Sequence, residues 1–66
     1  MVIPNLETNR SKIVDRLSAE GWIMDRHGSA HDIYVNPMRL GVITVPRHRT
    51  LSPGVARQIA KAAGWL

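Results

Sequence analysis

Trp22-Ile23-Met24-Asp25-Arg26, then His27-Gly28-Ser29, then Ala30-His31-Asp32-Ile33-Tyr34-Val35-Asn36 read as strand, reversal, strand. The first segment is β-prone at its start, and the glycine inside His27-Gly28-Ser29 marks a hairpin. Ile33, Tyr34 and Val35 are residue types that suit a pleated surface. Pro37 has no N–H to give to a ladder, so Asn36-Pro37-Met38-Arg39-Leu40 turns the chain again. Gly41-Val42-Ile43-Thr44-Val45 forms a third strand, stopped by Pro46. Three consecutive strands on short links predict an antiparallel meander.

Working outward, both flanks carry helix signals. Asn9 stands where a side-chain oxygen caps a helix, and good helix formers run from Lys12 to Glu20. Ile13, Val14 and Leu17 share one face, and Gly21 supplies the backbone freedom that closes a helix, so a helix is predicted over residues 9–20. On the other side Ser52 is an N-cap and Pro53 occupies the first helical position, where its missing N–H costs nothing. Val55, Ile59 and Ala62 repeat at helical spacing, with Ala56, Ala60 and Ala63 beside them, and Gly64 ends the run.

The order αβββα, with one apolar stripe per helix, packs most economically as an α+β two-layer sandwich. Both helices then cover one face of a three-stranded antiparallel sheet and leave the other to water or a ligand. The double-stranded-RNA-binding domain has this same element order. Residues 1–8, which include Pro4, Asn5 and Thr8, show no period and are expected to be a loosely ordered leader. A single domain is expected over residues 9–66.

With 66 residues the chain has no room for a dinucleotide-binding unit, a barrel or a two-domain cleft. An apolar content of 44% is too high for a disordered chain. The absence of cysteine removes both disulfides and thiolate zinc sites. Nine Lys and Arg against five Asp and Glu give a net charge of +4, and seven of the nine cations are Arg, whose planar fork matches phosphate. That balance points to a polyanion such as nucleic acid. The start does not resemble a signal peptide, and no apolar run approaches the roughly 18 to 20 residues that span a bilayer. A cytoplasmic protein without a membrane partner is expected.

Of the residues present, only histidine suits proton transfer at neutral pH, and three stand at 27, 31 and 48. His31 follows the Gly28-Ser29 turn and opens a strand, where a side chain is rigidly aimed yet open to solvent. Near its ordinary pKa of about 6.5 an imidazole both takes and gives a proton; the plain alternative is a surface histidine with no task. His27 and His31 lack an evident third ligand, so no metal site and no cofactor are expected. Arg47, His48 and Arg49 leave the third strand as a compact basic loop able to hold phosphate, or merely to be solvated. The residues leave open whether His27 or His48 assists His31. Trp22 and Trp65 each adjoin a glycine at a helix end and read as rim packing. Tyr34 reads as core or rim packing, with base stacking as its alternative if its face is open.

Taken in order, these residues resemble the HicA toxin family. The likeness runs from the opening helix with its Glu20-Gly21-Trp22 exit, through Gly28-Ser29-Ala30-His31 and Val42-Ile43-Thr44-Val45-Pro46-Arg47-His48, to Leu51-Ser52-Pro53-Gly54 and Ile59-Ala60-Lys61-Ala62-Ala63-Gly64. It covers about residues 9–65. The resemblance implies a toxin of a type II toxin–antitoxin pair on a fold like the double-stranded-RNA-binding domain. It implies an endoribonuclease that cuts mRNA without a metal, silenced by a HicB antitoxin, with an oligomeric state set through that complex. It makes His31 the catalytic histidine, with Gly28 and Ser29 as the turn that positions it. Many members carry a second histidine where Ala30 stands here, and the leader is longer than the usual start. The competing reading is a non-catalytic RNA-binding module. Against double-stranded RNA stands the start of the last helix, where Ser52 to Arg57 offers one cation instead of a lysine-rich grip.

Overall fold

The computed structural model describes residues 6–66; residues 1–5 of the expected leader, Pro4 and Asn5 among them, lie outside the described residues. Leu6 packs against the core and the Thr8 carbonyl accepts the Leu51 N–H at 2.8 Å. Helix α1 spans Arg10–Ala19, with Asn9 as N-cap accepting the Lys12 N–H. Strands β1 (Ile23–His27), β2 (His31–Val35) and β3 (Val42–Pro46) follow, and α2 spans Pro53–Ala62 under a Ser52 cap. The expected order is thus observed, with β1 and β3 shifted by one residue and β2 one residue shorter at each end than predicted.

Both helices end the same way. Gly21 and Gly64 take positive φ (93° and 84°), and the tryptophan after each returns its N–H to the last turn, Trp22 to Leu17 at 2.9 Å and Trp65 to Ala60 at 2.7 Å. This closure satisfies carbonyls in the last turn of each helix. Trp22 is buried; Trp65 is half-buried, its Nε1–H donating to Glu20 at 2.7 Å with Arg16 stacked over the ring.

The sheet order is β1-β2-β3, antiparallel throughout. Along β2 and β3 burial alternates, and cross-strand partners share a face. Tyr34 with Ile43, and Asp32 with Val45, face the helices, where Ile13 and Leu17 of α1, Ala56 and Ile59 of α2 and its C-cap Ala63 complete one core. Tyr34 is only 6% exposed on that covered face, so it is a core residue and not a stacking platform. All five residues of β1 are exposed, which makes it the uncovered outer strand. A bulge at Asp25 shifts its register: Met24 pairs with Tyr34, but Arg26 pairs with Ile33 and His27 with Asp32. One extra residue therefore turns His27 onto the same face as Asp32.

Candidate active site at the hairpin end

Pro46 ends β3 opposite His31, and the chain leaving it runs back to the start of α1. Asn9 bridges Thr50, and the Arg10 N–H donates to the Arg49 carbonyl at 3.0 Å. The basic loop after β3, the first turn of α1 and the β1–β2 hairpin thus meet at one end of the sandwich.

Asp32 is the centre of this meeting. It is 6% exposed, yet its carboxylate is fully partnered. Arg10 Nη2 donates to Oδ2 at 2.6 Å; His27 Nδ1, at 2.6 Å, and Arg47 Nη1, at 2.7 Å, reach Oδ1. The hydrogen bond from His27, then that from Arg47, hold the Asp32 pKa down to about 2 against the cost of desolvation. An ionised carboxylate only accepts, so His27 Nδ1 is the donor to Asp32, while the His27 side chain stays largely exposed. Arg10 also donates through Nε to the Pro46 carbonyl at 2.8 Å, tying α1 to the end of β3.

Arg47 does something the sequence did not suggest. Besides Asp32, its Nη2 donates to the carbonyls of Gly28 and Ser29, both at 2.9 Å, and Nη1 lies 3.4 Å from that of His31. Its own N–H donates to the Ala30 carbonyl at 3.3 Å, and the Gly28 N–H closes on His31 O at 2.6 Å. Every carbonyl from Gly28 to His31 therefore has a donor, and four of the five bonds come from Arg47. Expected as a phosphate holder, Arg47 directs both terminal nitrogens inward and clamps the turn that carries His31. Gly28 suits its place, because a Cβ there would sit 3.0 Å from the His31 carbonyl.

The His31 ring is exposed, and the residue lines a groove of about 280 Å³ between β3 and α2. His48 and Arg49 line a separate, wider cleft of about 620 Å³ at the start of α1. A third depression lies between them. Set over Ser52 at the cap of α2, it shares His48 with the cleft and both Pro46 and Val55 with the groove. Arg49 makes no side-chain hydrogen bond among the described residues and, with exposed Lys12 on the first turn of α1, leaves positive charge open to solvent at this end. His31 and His27 are on opposite faces of the sheet, so the structure does not bring the two histidines onto one face. No cluster of three or more His, Cys, Asp or Glu suited to a metal occurs among the described residues, and none of their helices is long and apolar enough to cross a membrane.

A family model described as the HicA toxin of bacterial toxin–antitoxin systems matches residues 10–65, from the first residue of α1 to the tryptophan that closes α2. The chain belongs to the HicA toxin family. It is therefore a toxin of a toxin–antitoxin system, and the features the family match spans include the clamped hairpin, the basic loop and both Gly-Trp closures. No curated protein matches this HicA chain. Sequence reasoning missed Asp32 as the hub and Arg47 as the clamp. The signal available was an acid at an inward-facing position of β2; that Arg10 and Arg47 converge on it becomes legible only once the tertiary packing is known.

Proposed function

We propose that this toxin is an endoribonuclease that cleaves mRNA through proton transfer by His31, and that a HicB-type antitoxin neutralises it in the cytoplasm. The observation carrying this reading is an exposed imidazole on a turn whose four carbonyls are all bonded, so that the ring is open to substrate while its backbone is held. Rigid placement of this kind is what general acid–base catalysis requires.

The chemistry follows from the substrate. His31 draws the proton from a ribose 2′-OH, whose oxygen bonds to the adjacent phosphorus as the bond to the 5′-oxygen breaks and that oxygen gains a proton; in the reverse role His31 supplies that second proton. The nucleophile is tethered beside its target, so orientation comes from the substrate itself. Dependence on the 2′-OH favours RNA over DNA. Arg49 and His48 line the cleft that leads toward His31 and hold backbone phosphates, an attraction that weakens with salt. Arg47 acts on the turn.

Induced expression of wild type and His31→Ala, followed by growth and RNA integrity, tests this reading. Wild type is expected to arrest growth and fragment mRNA; His31→Ala loses about 10² to 10⁴-fold in cleavage and still binds its antitoxin. RNA cutting retained by purified His31→Ala, free of host nucleases, rejects the assignment.

A further inference from the structure

We propose that the groove between β3 and α2 is a nucleobase subsite, receiving the base next to the scissile phosphate and reading its edge through the Gln58 amide. The inference rests on His31 acting at the phosphate, and it adds a specificity determinant to that reaction.

Position is the first argument. His31 stands at one end of the groove opposite Pro46, so a phosphate at the imidazole places a neighbouring base over Thr44, Val55 and Gln58. The walls come next. Val42, Ile43, Val55, Ile59 and Ala62 supply apolar surface, and beside His31 the Thr44 hydroxyl and the Gln58 amide are there to direct a ligand. Neither polar side chain has a hydrogen-bond partner among the described residues, and both residues are exposed. Apolar surface interrupted by a few directing groups is the usual make-up of a small-ligand site, and about 280 Å³ lies just below the roughly 300 Å³ at which such sites begin. That is room for a planar base. An amide presents a donor and an acceptor side by side, which is the pattern a base edge needs, and unpaired RNA leaves such edges free.

Charge selects the occupant. Residues 33–66 contain five cations and no Asp or Glu, whereas residues 1–32 contain four cations and all five acids. Apart from His31, the groove is built entirely from the carboxylate-free half. Lys61, three residues from Gln58 and exposed, shares its side of α2. A polyanion is the complement of this surface. An extended peptide along the free edge of β3 is the rival, and the same experiment separates the two.

The test titrates the full-length ¹⁵N-labelled toxin with single-stranded tetranucleotides of RNA carrying 2′-O-methyl groups, which block the attacking hydroxyl. The Gln58 side-chain amide and the backbone amides of Thr44, Val55 and Ala62 are expected to shift. Affinities for the four bases should spread by about tenfold, the effect of one good hydrogen bond. Gln58→Ala should collapse that spread and relax the base preference at the cut site. Ala62→Phe, on an exposed helix position, should fill the groove and weaken every tetranucleotide. Shifts confined to the Arg49 cleft, with base preference unchanged in Gln58→Ala, overturn the subsite while leaving the endonuclease reading standing. Groove signals moved by base-selective binding, in a protein that cuts no unmodified RNA, support the subsite and reject the nuclease. Signals that respond to antitoxin but not to RNA overturn the subsite in favour of a peptide.

Discussion

Arg47→Gln separates a clamp from a phosphate holder. The substitution removes the guanidinium fork that reaches Gly28 and Ser29 at 2.9 Å each. Two neutral acceptors bonded at that distance contribute about 1 kcal/mol apiece, so about 2 kcal/mol of turn ordering is lost. At 1.36 kcal/mol per factor of ten, the equilibrium constant for holding the turn in place falls about 30-fold. The kcat for RNA cleavage should fall, by up to that factor, while KM stays near wild type, because the lost donors face the protein. Arg47→Lys should lie between, since one ammonium has three donors but no fork. Arg49→Gln supplies the contrast: KM rises and the salt dependence flattens by about 0.7 per lost contact, with kcat unchanged. The assay is cleavage of a fluorogenic oligoribonucleotide across a salt series, with the thermal midpoint of each variant measured alongside. A raised KM, a flatter salt slope and an intact kcat in Arg47→Gln would refute the clamp and restore the phosphate role.

The Asp32 hub predicts an acid limb. Its folded pKa of about 2 lies below the ordinary 3.8, so its contribution to stability is complete above about pH 4 and is lost as pH falls toward 2. Wild-type thermal midpoints should drop across that window, and Asp32→Asn should have a lower midpoint at pH 7 with a flatter acid limb; parallel limbs in the two proteins would contradict the assignment. His27→Gln, on the face opposite His31, should keep kcat close to wild type while raising the Asp32 pKa, measured by carboxyl NMR. Collapse of cleavage at an unchanged thermal midpoint would make His27 a second proton-transfer group.

Much of this molecule is written locally. Asn9 and Ser52 start the helices because their side chains satisfy nearby N–H groups, and Gly21-Trp22 and Gly64-Trp65 end them because glycine takes the positive φ that the closing bonds require. Prolines at 37, 46 and 53 punctuate the rest. These devices act within four or five residues, so a linear reading finds them. His31 was likewise legible as a histidine beside a tight turn. The bulge at Asp25 was not, because no glycine marks it and the residue is compatible with ordinary strand geometry.

From the sequence alone follow the element order, the caps, the cationic character and the family resemblance, each set by near neighbours or by composition. Tertiary structure alone settled which acid sits at the hub, that Arg47 grips a turn up to 19 positions away, and that His27 and His31 face apart. The reason is that long side chains choose partners by proximity in space. That proximity depends on strand register, which one bulged residue is enough to change.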